Sequence, residues 1–462
     1  RTEVTVQFER DSADVVFDVE PGPPVFVDSI RIEGLHRTRA EVVRREISVR
    51  PGGVLLGRRV LESRQRLLDT GIFTRVRLVP QFADSSRPEA DLRVTVEERK
   101  SAWIGAGGGY SSLDRLRFNA EWGLRSIAGT GRRLGVTGDL YYSLDPDFRG
   151  GGFNFREGQA QLDYQEPWIL RTRTRLFLTP YIRWNQEVDY HQRTLGYNVT
   201  LRRELNRWSR VSLGVQSKHV RTTEENVRPR YITRLLNLDY TLDRRDNLFD
   251  PKSGQYAQTI AEYAGGLLAG TNRFARFTAS WQGYAQPQRS WVVAARVKVG
   301  GIEPIGRGPV VAQASDTLRL SRIPSEERFR LGGGNTIRGY REGMVGRLAF
   351  GEGGAAKALG GLSMLLVSLE LRFPIVSIVN GGMFLDAGNV WADPKEIKLR
   401  RFADGLRRQD FDPRNVAYGM GVGLRVATPV GPFRFDYGVK IGSGRAPGEP
   451  PSEIHVALGQ AF

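Results

Sequence analysis

The chain has no cysteine, only four methionines and four histidines among 462 residues. The missing cysteine excludes a disulfide scaffold and a thiolate metal site. Long apolar runs are missing too: none reaches the roughly 18–20 residues that a transmembrane helix needs. Mean hydropathy is −0.37, a value typical of soluble proteins. A transmembrane β-barrel is still compatible with it, because such a barrel places its apolar residues at every second position. His36, His191, His219 and His455 are dispersed and show no metal-ligand spacing. No G-x-S-x-G nucleophile elbow occurs. Asp243, Asp246 and Asp250 lack the glycine and the terminal glutamate of a calcium loop, and Arg244 and Arg245 sit among them. They read as a structural turn entering a strand. The sequence therefore offers no catalytic residue, no cofactor site and no metal site.

What it does offer is arginine, glycine and alternation. The net charge is +17, which raises nucleic acid as a partner. The basic residues are scattered and alternate with apolar ones, and no aromatic-basic recognition module appears, so the reading is no nucleic acid. Glycine numbers 54, and one stretch concentrates it: Arg328 to Gly343 reads RFRLGGGNTIRGYREG. No Lys-Ser or Lys-Thr follows those glycines and no β-α unit surrounds them, so they are not a phosphate cradle.

The first hundred residues form a distinct region. Val4, Val6 and Phe8, then Val15, Phe17 and Val19, alternate as two short strands that stop at Pro21-Gly22-Pro23-Pro24. The chain starts at Arg1 within this strand-like pattern, which reads as a cut inside or beside an earlier domain. Val25, Val27, Ile30 and Ile32 predict a strand ending at Gly34. Thr38 and Glu41 have the spacing of a capping box for a first helix. A second helix runs from about Gly57 and stops at Gly71. Strands through Val76 and Leu78, then through Leu92, Val94 and Val96, close a small β-α-α-β-β unit. Its exposed strand edges could accept an added strand.

From Ser101 onward the pattern is strands and turns, with no convincing helix longer than two turns. Phe433, Phe435, Tyr437, Val439 and Ile441 alternate with Arg434, Asp436, Gly438 and Lys440. Ile454, Val456, Leu458 and Phe462 alternate with His455, Ala457, Gly459 and Ala461. Such faces fit a soluble sandwich or a barrel between lipid and a wet lumen. About sixteen segments of this kind occur, an even number as bacterial barrels require. Long connections (near Asp145 to Arg156, near Thr222 to Arg230, Gly301 to Gly360, Asp393 to Asn415) alternate with short ones (Ser112-Leu113, Pro287 to Arg289, Thr428 to Pro432). The terminal aromatic Phe462 adds weight to a membrane all-β barrel.

Several stretches resemble one family. IRIEGLHRT and LLDTGIFTRVRL in the N-terminal unit resemble a POTRA domain. YQEPW at Tyr164 to Trp168, DRRDNLFDPKSG at Asp243 to Gly254, MFLDAGNVW at Met383 to Trp391, ATPVGPFRFDYG at Ala427 to Gly438 and the C-terminal IHVALGQAF resemble the BamA/TamA family of outer-membrane assembly and translocation barrels. The resemblance implies three regions. Residues 1–22 would be the last strands of a preceding POTRA-like domain, and 23–99 a POTRA domain. Residues 100–462 would form a sixteen-stranded antiparallel transmembrane barrel with a lumen-plugging loop at 301–360. It also implies that the loop after the eleventh barrel strand carries an Arg-Gly-aromatic tip, here Arg338-Gly339-Tyr340, anchored by Glu370 and Asp386. Glu370 shares parity with Ser368 and Arg372, which points it into the lumen. Asp386 shares parity with Phe384, so its direction rests on the motif.

The function implied is that of an outer-membrane assembly factor that uses no cofactor and is not an enzyme. Its seam would lie between the first barrel strand, with Gly105, Gly107, Gly108 and Gly109, and the last, with Leu458, Gly459 and Phe462. Glycine packs little, so that closure should be weak, and an incoming strand would be templated there while the bilayer thins locally. The alternative is a polypeptide-translocating secretion pore of the two-partner or TamA-like autotransporter type. A passive porin fits neither the POTRA unit nor the plugging loop. The partners implied are unfolded outer-membrane or secreted polypeptides, the lipid bilayer and periplasmic accessory proteins bound through the POTRA domain. The location implied is the bacterial outer membrane, with the POTRA domain in the periplasm.

Overall fold

A computed structural model describes the whole chain except residues 1, 10–11, 20–22, 83–87, 112–114, 144–153, 187–189, 225–229, 289, 307–317, 351–355, 408–409, 429–431, 443–444, 447, 459 and 461–462. It divides into two compact units, residues 1–104 with 122–134, and residues 105–121 with 135–462.

In the first unit β1 (Thr2–Glu9) and β2 (Ser12–Val19) pair as an antiparallel hairpin. A second sheet has the order β3 (Phe26–Glu33), β5 (Glu89–Glu98), β4 (Phe73–Gln81), with β3 parallel and β4 antiparallel to the central β5. The helices α1 (Ala40–Arg44) and α2 (Gly57–Asp69) connect β3 to β4. Val42, Val43, Leu67, Phe73, Val76, Leu92, Val94 and Val96 come together as the core of this unit. Alternation on β5 explains why the central strand supplies three of them, since every second residue faces the helices.

The capping box does not form. The N-cap of α1 is Arg39 and no side chain caps it. Glu98, at the end of β5, takes the job of satisfying nearby backbone donors instead. Its carboxylate accepts the N–H groups of His36, Arg37 and Thr38 at 2.8–3.2 Å. The Thr38 side chain is also hydrogen-bonded to this carboxylate, so it is not available to cap the helix. The same unit includes the turn Ile127–Gly129, whose Gly129 carbonyl accepts the Arg39 N–H at 2.9 Å.

The second architecture is a sixteen-stranded antiparallel sheet curled into a nearly closed barrel. Its first strands are β6 (Ala102–Ser111), β7 (Arg115–Leu124), β8 (Arg133–Ser143), β9 (Asn154–Ile169), β10 (Thr174–Gln186) and β11 (Tyr190–Glu204). Next come β12 (Ser209–Glu224), β13 (Arg230–Asp243), β14 (Gly254–Ala264), β15 (Phe274–Gln288) and β16 (Trp291–Pro304). After a long loop the wall resumes with β19 (Ser363–Val376), β20 (Val379–Trp391), β21 (Ala417–Val426), β22 (Phe433–Ile441) and β23 (Ser452–Leu458). The loop itself holds the short hairpin β17 (Leu348–Phe350) and β18 (Ala356–Ala358). β16 pairs directly with β19 across the loop.

Period two sets the faces. On β22 the side chains of Arg434 and Asp436 are buried while Phe435 and Tyr437 stand outward. On β20 Phe384 and Asp386 are buried and Met383 and Leu385 are exposed, so the parity shared by Phe384 and Asp386 means that both face the lumen. Among the described residues no helix is long and apolar enough to cross a membrane. Connectivity corrects one expectation about the connections. The β6–β7 connection belongs to the same end as the long loops, and its Ser112-Leu113 tip lies outside the described residues. Short α-helices also interrupt the strand pattern, α3 (Leu318–Ser321) in the β16–β19 connection and the eight-residue α4 (Arg400–Arg407) in the β20–β21 connection. Arg401 ties α4 down by donating to the Glu396 carbonyl at 3.0 Å and to Asp412 at 3.3 Å.

Candidate functional site: the loop tip and the strands around it

The connection from β16 to β19 folds into the lumen. Its apolar residues Leu331, Ile337, Tyr340 and Val345 pack on Met364, Leu366, Val390 and Ala417 of the wall. Leu366 thus faces inward without meeting water, because the loop covers it. The hairpin that carries the tip needs a left-handed residue at Gly332 (φ +110°), where a Cβ would sit 2.4 Å from the Arg341 carbonyl oxygen. Gly339 (φ +94°) is another such position. It lies so flat on the wall that a Cβ on its neighbour Gly438 would be 2.4 Å from the Gly339 nitrogen.

This close approach delivers Arg338, which is 1% exposed. Its Nε donates to Asp386 Oδ2 at 2.7 Å and its Nη2 to Asp386 Oδ1 at 3.0 Å, a two-pronged pairing. Nη1 donates to Glu370 Oε2 at 2.5 Å, and the Arg338 backbone N–H donates to Asp386 at 3.1 Å. The guanidinium carbon sits 3.6 Å above the Phe384 ring centre, so the cation also meets an aromatic face. The structure thus brings Arg338, Gly339, Tyr340, Glu370 and Asp386 to one place.

It adds a second ring of charges that the motif did not announce. Glu370 accepts from Arg372 at 3.0 Å and from Arg425 at 3.2 Å. Arg425 donates to Asp436 at 2.6 Å, and Arg434 donates to the Asn335 side chain at 2.8 Å. Arg296 donates to the Asn335 carbonyl at 2.9 Å and to Ser368 at 3.0 Å. The Gly339 N–H donates to Nε2 of His455 on β23 at 3.1 Å. With the Tyr340 hydroxyl donating to the Tyr418 carbonyl of β21 at 3.5 Å, tip residues 335–340 and their direct partners involve β16, β19, β20, β21, β22 and β23. Burying charges is tolerable only when each is paired, and breaking one pair commonly costs about 3–5 kcal/mol. The inward parity of Arg434, Asp436 and His455 was visible in the sequence. Their convergence on Asn335 and Gly339 was not, because it depends on where the loop lands.

The seam residues form a different group. β6 and β23 are the two ends of the sheet, and no pairing joins them among the described residues. β23 has seven residues, against sixteen for β9 and β12. Gly105 lies on β6 with Gly107, Gly108 and Gly109, and the last three are exposed. Leu458 ends β23 opposite Phe433, while Gly459 and Phe462 lie outside the described residues.

A POTRA unit and a sixteen-stranded barrel with an Arg-Gly-aromatic loop in its lumen define the class: the chain belongs to the Omp85 superfamily. The superfamily's domain model matches residues 127–462, and a POTRA model described as a surface antigen variable number repeat matches residues 25–99. The family is that of outer-membrane barrels with periplasmic POTRA domains, and this chain is located accordingly. Among relatives, it is 24% identical over 472 residues to the outer membrane protein assembly factor BamA of Nitratidesulfovibrio vulgaris, covering 98% of this chain and 53% of that one. It is 23% identical over 501 residues to the BamA of Neisseria meningitidis serogroup B, covering 100% and 60%. The chain spans little more than half the length of these curated relatives. The crystal structure of BamA from Haemophilus ducreyi lacking POTRA domains 1–3 matches with a TM-score of 0.73 at 21% identity, covering 99% of this chain and 88% of that one.

Proposed function

We propose that the chain is the working end of an outer-membrane assembly factor, which folds and inserts β-barrel proteins by templating strands at the seam between β6 and β23. The observation that carries this reading is the contrast between two regions of the barrel. The lumen is occupied by a loop whose tip is paired on several sides. Among the described residues the seam has no pairing between its two strands, a short last strand and a glycine-loaded first one. Unpaired strand edges offer a row of backbone donors and acceptors to an incoming strand. A plugged lumen does not offer that. The relatives named as assembly factors support the same reading. The work needed is exchange of hydrogen-bond partners, so no reaction and no cofactor enter. In the POTRA sheet β3 and β4 are both edges, and strand addition there is the proposed mode of contact with periplasmic accessory proteins.

Cross-linking the seam tests the proposal, and the chain has no native cysteine to interfere. Gly109 is the better position on β6, because a Cβ there meets nothing within 4 Å, whereas at Gly107 it would press on Asn119. One cysteine at Gly109 is paired in turn with one at each position from Ser452 to Val456. The verified disulfide should abolish complementation of assembly, and reduction should restore it. Full activity of the cross-linked form would reject the seam and favour a secretion pore that passes polypeptide through the lumen.

A further inference from the structure

The loop touches the wall at a second place, eleven residues before the tip. Glu327 is 3% exposed and receives Lys218 of β12 at 2.5 Å and Arg276 of β15 at 3.0 Å. Arg276 also donates to the Glu327 carbonyl at 3.0 Å and to Glu262 of β14. Next to it, Glu326 accepts the hydroxyl of Tyr231 on β13. Just above, Leu320 and Ile323 pack against Leu235, Ala264, Phe274 and Ile302 of β13 to β16. None of these wall groups is a partner of Arg338, whose carboxylates lie on β19, β20 and β22. Among the described residues the loop thus meets the wall at its base and at its tip, on two different arcs of the barrel.

We propose that Glu327 is a second, independent anchor, which keeps the loop in the lumen when the Arg338 tip leaves its seat. The two anchors divide the labour. The tip is hydrogen-bonded to β23, a seam strand, through Gly339 and His455; the base holds β12, β13 and β15 instead. A seam that must open can unseat the tip while the base continues to fill the pore, so ions stay out during opening. Glu327 is a positioning residue in this scheme. Its anchoring role rests on the loop geometry and not on the assembly reading, which can fail separately.

The experiment uses the full chain in lipid bilayers, with Arg338→Ala, Glu327→Gln and the double variant, each first checked for a heat-modifiable barrel. Two amides report seating directly: the Gly339 N–H, which donates to the wall at the tip, and the Phe329 N–H, which donates to Gly361 near the base. Hydrogen exchange is read on peptides covering 335–341 and 323–331, alongside single-channel conductance. Arg338→Ala should raise exchange about tenfold or more at the tip, leave the base within about twofold, and leave conductance low. Glu327→Gln should do the reverse to exchange and also leave conductance low. The double variant should deprotect both peptides and raise conductance severalfold. If Glu327→Gln prevents folding, Lys218→Met combined with Tyr231→Phe removes two wall partners instead and is read in the same way. Opening of the pore or exchange at the base in Arg338→Ala alone would overturn the proposal. So would a double variant indistinguishable from Arg338→Ala.

Discussion

Arg338 shows what a single side chain has to be to hold a loop in a wet pore. Its planar fork meets Asp386 with two donors and still reaches Glu370 with a third. An ammonium is a point charge and cannot reproduce that fork. Arg338→Lys should therefore restore only part of the tip protection lost in Arg338→Ala. The Ala variant leaves two buried carboxylates facing each other, a loss of about 3–5 kcal/mol by the usual scale for a broken buried pair. Phe384→Leu separates the aromatic face from the carboxylates. It should weaken seating by about 0.5–2 kcal/mol, read as faster exchange at residues 335–341 with the barrel intact. Equal protection in Arg338→Lys and the native chain would mean that charge alone seats the tip.

At the scale of elements, Glu98 joins the end of β5 to the approach to α1, and it makes that junction sensitive to acid. Burial pushes its carboxyl up, but the N–H groups of Thr38, Arg37 and His36 outweigh this and hold it below the usual glutamate range. A carboxyl lowered in the folded state adds stability above its unfolded pKa, and that stability is lost as pH falls through the lowered folded value. Exchange at residues 36–39, corrected for intrinsic rates, should rise as pH drops below about 4.5. Glu98→Gln should already exchange faster at pH 7 and show little further acid response. A Gln variant that keeps the native pH response would remove Glu98 from this role. The junction also marks how far the sequence could be read. Alternation located the strands because period two is a local property of the chain. The POTRA helices were legible by their apolar stripes and by Gly71. The cap at Thr38 was misread because its competitor, Glu98, is about sixty residues away. α4 was missed because it is barely two turns long, and Phe402 and Leu406 are too few apolar residues to mark a helix. The tip triad was legible through a motif, whereas Glu327 was not, since Lys218 lies 109 residues away and nothing local marks the pair.

For the whole molecule, the low mean hydropathy and the membrane location are two views of one barrel. Leu236, Leu238 and Tyr240 stand outward on β13 while Leu235 and Thr241 are buried inside. Averaging the two faces cancels the lipid signal. A charge placed on the outer face should therefore act on insertion and leave the lumen untouched. Leu236→Arg is expected to cost up to about 2–4 kcal/mol near mid-bilayer and to lower the membrane-integrated, heat-modifiable fraction, while Leu236→Val should be close to neutral. Normal integration of the arginine variant would show that this strand face is not against lipid.

The charges around the tip also make the plug electrically lopsided. Among the described residues there, the five guanidiniums of Arg296, Arg338, Arg372, Arg425 and Arg434 face the three buried carboxylates of Glu370, Asp386 and Asp436, with the half-exposed Asp250 lying 4.0 Å from Arg372. A confined excess of positive charge concentrates counter-ions and repels cations. Whatever current leaks past the seated loop should thus be carried mainly by chloride in a potassium chloride gradient, with a reversal potential of the matching sign, and Arg434→Gln should shift that potential towards zero.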